Sequence, residues 1–168
     1  MNITIDIYDF DLNNIYYLDP IKNTVIENSN FIRVLYSNNL VSLNGIYILL
    51  NFKNITIFNS NNKIRYCFDQ YNIANIDTIT LINNLEKNIL NNCIIKHKRP
   101  LYKLKDQLNQ GYIKIINASF MEYKDNHFNN NEKFILKISG IWESENEYGL
   151  TYKILIINHE STICCKKL

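Results

Sequence analysis

A chain of 168 residues with a formal net charge of +2 is long enough to bury a hydrophobic core without disulfides or metals. It is too nearly neutral to coat nucleic acid through net charge in the manner of a histone-like protein, so any polyanion surface has to be local. About one residue in six is Asn and as many are Ile, beside 12 Tyr, 4 Gly and 2 Pro; these are mostly residues of A/T-rich codons, which points to the genome of an A/T-rich virus, plasmid, parasite or endosymbiont and not to any chemistry.

The N-terminal segment MNITIDIYDF lacks the basic start and continuous apolar run of a signal peptide. The longest apolar stretches, such as Ile46 to Leu50 and Ile154 to Ile157, are too short to span a bilayer, so a cytoplasmic protein without membrane contact is expected. Ile3, Ile5 and Ile7 alternate with polar residues at the period of a half-buried strand. Phe31 to Tyr36 reads as a second strand. Gly45 then opens a run from Ile46 to Phe52, followed by Ile55 to Phe58, a turn at 59–62 and a returning strand from Lys63 to Phe68, which together predict a meander. The exception follows: Asp77 can cap a helix, and Ile82, Leu85 and Ile89 recur at helical spacing through Leu90, giving one helix of about 14 residues. Beyond it lies a basic connection from Lys96 to Pro100. Strands are then expected at Tyr112–Phe120, Phe134–Trp142 and Leu150–Asn158, with a loop over Asp125–Glu132 and an acidic turn over Glu143–Gly149. The whole predicts a mostly β (α+β) fold, an OB-like antiparallel barrel with one clear helix between the strand groups, as a single domain over residues 1–160 and a short flexible tail over 161–168.

Recognisable catalytic patterns are missing. Gly45, Gly111, Gly140 and Gly149 stand too far apart for a phosphate-binding loop. His97, His127 and His159 have no metal-ligand spacing, and the adjacent Cys164 and Cys165 lack the gap of a metal knuckle, so these, with Cys67 and Cys93, read as reduced thiols. Clustered carboxylates, Asp9 with Asp11 and Glu143 with Glu145 and Glu147, read as solvated acidic loops. No catalytic residue, metal or cofactor is expected.

Three features point toward binding. Between Lys96 and Lys114, basic residues interleave with Tyr102 and Tyr112 against a single acid, Asp106. Such a stretch can track a phosphate backbone while rings stack on bases, although it also fits an ordinary solvated loop. In the meander, Lys63, Arg65 and Cys67 share one strand face, while Ile64, Tyr66 and Phe68 share the other and are expected in the core. The third feature is a hairpin, Lys137-Ile-Ser-Gly-Ile-Trp142-Glu returning through Gly149-Leu-Thr-Tyr-Lys153, in which Trp142 either stacks on a base or plugs the barrel.

That hairpin, together with Pro100-Leu-Tyr-Lys-Leu-Lys-Asp-Gln-Leu-Asn-Gln-Gly-Tyr-Ile-Lys114, resembles the C-terminal half of single-stranded DNA-binding OB-fold proteins of large cytoplasmic DNA viruses and related linear plasmids. The resemblance covers Pro100 to Ile154. It implies sequence-tolerant binding of single-stranded DNA, or RNA, in replication of an A/T-rich genome, with replication proteins as partners and a homo-oligomer as a possible state. The implied surface is a groove with cations at Lys63, Arg65, Lys98, Arg99, Lys103 and Lys105, with Tyr102, Tyr112, Trp142 and Tyr152 as stacking rings, and with the acidic 143–147 loop on the opposite rim. One departure stands out: single-strand binders of replication often end in an acidic tail, whereas this chain ends in Cys-Cys-Lys-Lys-Leu168. Two alternatives stay open, a non-catalytic interaction subunit of a viral or plasmid replication, transcription or capping complex, and a metal-dependent nuclease.

Overall fold

The computed structural model describes residues 2–60, 63–95, 97–114, 133–157 and 162–165. In chain order the elements are β1 (Asn2–Asp6), two 3-10 turns, β2 (Ile15–Tyr17), β3 (Ile21–Lys22), β4 (Asn30–Ser37), β5 (Ser42–Leu43), β6 (Ile46–Leu50), β7 (Thr56–Ser60) and β8 (Lys63–Cys67). There follow α1 (Ile73–Asn92), β9 (Arg99–Leu101), α2 (Lys103–Asn109), β10 (Tyr112–Lys114), β11 (Lys133–Glu143), β12 (Glu147–Ile157) and β13 (Thr162–Cys165). The fold is mostly β with two helices, in the α+β class, and none of the described helices is long and apolar enough to cross a membrane.

Strand β11 organises the larger sheet. Along one edge it pairs antiparallel with β12; along the other it pairs with β6 over Phe134–Ile138 and then with β4 over Gly140–Glu143. A register shift between Ile138 and Gly140 falls where the partner changes, as expected of a bulge that bends a strand. Gly140 permits the close approach of β4: a Cβ there would lie 2.7 Å from the Phe31 ring and closer still to the Ile32 carbonyl oxygen. Period-two alternation turns Ile32, Val34 and Tyr36 of β4, Ile46, Ile48 and Leu50 of β6, and Phe134, Leu136 and Ile138 of β11 toward one buried face.

Both helices and a smaller sheet, ordered β10-β8-β7, cover that face. Ile79, Ile82, Leu85, Ile89 and Leu90 of α1 and Leu104 and Leu108 of α2 are buried in the shared core, each worth roughly 1.5–3 kcal/mol against exposure. From the small sheet, Tyr66 meets Phe134 edge-on, with ring centroids 5.3 Å apart, and Phe52 stacks on Phe68 at 4.2 Å. Tyr66 and Phe68 are thus core residues, as their strand face predicts.

Several expectations are corrected. The large sheet is mixed where an antiparallel one was expected, because β1 runs parallel to β6 and β13, and β9 parallel to β12, while the small sheet is antiparallel; among the described strands no barrel closure is traced. Thr162–Cys165, expected in a flexible tail, is a strand beside β1. The meander is broken: β7 and β8 form their hairpin, but β6 lies in the other sheet between β1 and β11. Helix α1 starts before Asp77, because Asn72 caps it by accepting from Ala74 N at 3.0 Å. The strand expected over Tyr112–Phe120 is described only as far as Lys114, and the loop over Asp125–Glu132 lies outside the described residues.

The second helix, α2, lies within the basic stretch between Lys96 and Lys114 and was missed because its cap is tertiary. Tyr102 at the N-cap offers no side-chain bond; instead Glu86, fully buried on α1, accepts from Leu104 N at 3.1 Å and Lys105 N at 2.8 Å. Asn75, also fully buried on α1, is saturated in the same way: its amide bonds Lys53 N, Lys53 O and Asp69 O at 2.8, 3.1 and 2.9 Å. It ties the chain leaving β6 to the chain leaving β8.

Two predictions follow from this packing. Gly140→Ala should lower stability by about 3 kcal/mol or more, since backbone and ring atoms must both move; an unchanged denaturant midpoint would contradict the close approach. Burial raises the Glu86 pKa above its ordinary value of 4.5, against the pull of the two amides. The folded state therefore holds that proton more tightly than the unfolded chain, and stability should fall as pH rises from about 4.5 through the raised value. Glu86→Gln should flatten that slope in urea midpoints measured against pH.

Candidate functional site

The outer face of the small sheet gathers cations and rings. Register aligns Phe58, Arg65 and Lys114 across β7, β8 and β10, and aligns Thr56, Cys67 and Tyr112 in the next row. The intervening row, Ile57, Tyr66 and Ile113, turns inward, so alternation alone brings the polar row and Tyr112 to solvent. Phe58 is 60 % exposed, an unusual position for a large ring. Arg65 Cζ lies 5.4 Å and Lys114 Nζ 5.6 Å from the Tyr112 ring centroid. Among the described residues neither cation has a carboxylate partner, the ion pairs being Lys98–Glu143 and Arg99–Glu147. Lys63 begins the same strand as Arg65; its side chain lies outside the described residues.

The other expected site residues are not gathered there. Lys98 Nζ sits 2.7 Å from Glu143 and donates to Ser144 O at 2.8 Å, and Arg99 pairs with Glu147 at 2.7 Å. The acidic turn is therefore beside these two cations and neutralises them; it does not stand on an opposite rim. It is also tighter than expected, closed by Ser144 N donating to Glu147 O at 2.8 Å, with both glutamates on strand ends. Tyr102 and Tyr152 pack against the core, and the Tyr152 hydroxyl donates to Gln107 at 3.3 Å. Burial first, then the neighbouring Glu86, pushes the Tyr152 phenol up to about 12. Lys105 extends an exposed side chain from α2 while its backbone N–H serves the Glu86 cap.

Trp142 and Lys103 form a separate pair. Ile141 faces the core, so Trp142 points to the opposite face of the large sheet, away from the small one. Its indole lies across Gly149, whose missing Cβ would be 3.1 Å from Cζ2 and Nε1. Lys103 Nζ stands 4.9 Å from the ring centroid. Trp142 is half-buried, lying on a sheet surface and plugging no barrel. On the same face Lys137 stands 4.9 Å from the Tyr47 ring and Arg33 5.8 Å from the Phe31 ring.

Sequence reasoning missed Phe58 as a site residue and used Lys114 only as part of a basic stretch. The signal for both was available in strand parity, since each lies in register with Arg65, but pairing β10 with β8 requires knowing that α2 folds between them. Among the described residues no three His, Cys, Asp or Glu side chains converge on a metal position.

Trp142 is the only tryptophan, which makes its cation contact readable. Lys103→Ala should change the intrinsic emission and cost about 0.5–1 kcal/mol, while Lys103→Arg retains both; unchanged emission in the alanine variant would place the ammonium away from the ring. No protein-family model, no curated protein and no solved structure matches the chain.

Proposed function

We propose that the chain binds single-stranded nucleic acid, DNA foremost, across the outer face of β7, β8 and β10. Arg65 and Lys114 neutralise phosphates and release counterions, while Tyr112 and Phe58 offer ring faces to bases without reading sequence. One observation carries the reading: two cations without carboxylate partners among the described residues stand against one ring, beside a second ring that is mostly exposed. Binding of this kind needs no cofactor and no reacting group. The proposal extends to the OB-like single-strand binders of viruses and plasmids, because the hairpin that carries the resemblance is the β11–β12 pair at the centre of the large sheet.

A second reading, a non-catalytic subunit of a larger complex, is favoured by one feature. Tyr16, Leu18, Leu35 and Leu43 line an open depression of about 480 Å³, with Tyr16 52 % and Leu18 44 % exposed.

Fluorescence polarisation of a labelled dT oligonucleotide across a salt series, with duplex competitor, tests the first reading. Binding should weaken steeply with salt and resist duplex. Arg65→Ala and Lys114→Ala should each reduce the log–log salt slope by roughly 0.7, and Tyr112→Ala should cost about 1–3 kcal/mol if the ring stacks on a base. Absence of binding at low salt would discard the proposal and leave the subunit reading.

A further inference from the structure

Where β8 ends and α1 begins, the chain forms a second concavity, of about 310 Å³. Ile76 and Ile79 come to it from α1, Tyr71 from the turn before that helix, and Asn109 from the last turn of α2. Tyr71 is 78 % and Ile76 42 % exposed, so flat and apolar surfaces stand at its mouth. Gln70, Thr80 and Asn83 complete the lining, which holds no charged side chain.

The amides of Gln70 and Asn83 are unusual. Gln70 Oε1 and Asn83 Oδ1 are buried and accept no hydrogen bond. Asn83 Nδ2 donates to Asn109 Oδ1 at 3.3 Å, which leaves its oxygen as the unused end. Buried carbonyl oxygens without donors cost free energy, and native chains leave few of them. Two at one cavity point to a ligand that brings donors. The last torsion of an amide side chain is broad, so a modest rotation turns either oxygen to a group entering the cavity. An uncharged lining suits a neutral planar group and brings no cation to a phosphate.

The cavity borders the proposed strand-binding face. A Cβ on Gly111 would lie 3.4 Å from Gln70 Oε1, and the next residue is Tyr112, in register with Cys67. Phe68 N donates to Gly111 O at 2.9 Å, closing the end of the sheet against the Gln70 turn.

Resting on the single-strand reading, we propose that this cavity receives one nucleobase and that Gln70 Oε1 and Asn83 Oδ1 accept from its exocyclic amino group. Cytosine, adenine and guanine carry that group. Thymine and uracil present one N–H flanked by two carbonyl oxygens, which would face the amide oxygens. The face on β7, β8 and β10 then tolerates any sequence, while the cavity adds a preference for strands with amino bases.

The test compares dC, dA and dT homopolymers of equal length by fluorescence polarisation at one low salt concentration. dC and dA should bind several-fold tighter than dT, and both Asn83→Leu and Tyr71→Ala should lower them to the dT level while dT affinity holds. Tyr71 is exposed enough that its variant folds even if the Asn83 variant does not. Equal affinity for all three, or a preference that survives Tyr71→Ala, overturns the base pocket and leaves the sheet face standing. Failure of every homopolymer to bind overturns the single-strand reading; titration of the side-chain amide NMR signals of Gln70 and Asn83 with cytidine and with thymidine then judges the pocket alone. Shifts with cytidine but not thymidine uphold it, and no shift with either overturns it.

Discussion

The carboxylate of Glu86 is buried among apolar side chains, and each of its oxygens receives one backbone N–H from the first turn of α2. An ionisable group in such a place is costly to leave unpaired, and a helix start without a cap is costly too. Each problem solves the other. Because α2 is held against α1 in this way, the chain leaves it through Gly111 directly into β10, which delivers Tyr112 and Lys114 to the edge of β8. The aromatic and cationic face therefore depends on a carboxylate that never reaches the surface. Asn75 does the complementary work on the first turns of α1, fixing where the chain enters β7 and where it leaves β8.

Charge is sorted by the same architecture. The β11–β12 turn brings Glu143 and Glu147 to Lys98 and Arg99, which holds these two cations of the basic run in ion pairs at the sheet end. The exposed Arg99–Glu147 pair is worth little in stability, and Lys98–Glu143 is largely buried; together they remove two cations from any phosphate track. The cations that stand against rings are divided between two outward faces. Arg65 and Lys114 stand on the small sheet; Lys103, Lys137 and Arg33, each against a ring, stand on the far side of the large one. A single groove holding all the expected residues does not form. The smaller face carries the functional reading because two cations stand against one ring there, Tyr112, beside a Phe58 that is open to solvent.

Much of the β architecture was legible where period-two alternation is strong. The Lys63–Phe68 strand, the inward faces of Tyr66 and Phe68, and the hairpin through Trp142 and Gly149 all follow from parity and turn residues. Three things were not legible, each for a physical reason. Asn is so common that Asn72 as a cap and Asn75 as a buried clamp look like their neighbours. Helix α2 has no side-chain cap at Tyr102; its capping carboxylate, Glu86, lies on α1, out of reach of local pattern. Ion pairing between Lys98 and Glu143 spans a separation along the chain that charge patterning cannot see.

Photo-cross-linking tests the central claim most directly. A 5-iodouracil-substituted oligonucleotide, bound at low salt, irradiated and mapped by peptide mass spectrometry, reports which rings touch bases. Adducts on Tyr112 or Phe58 are the result this account predicts. Adducts confined to Trp142, or to the apolar depression around Tyr16 and Leu43, would contradict it and move the binding surface to another face of the molecule.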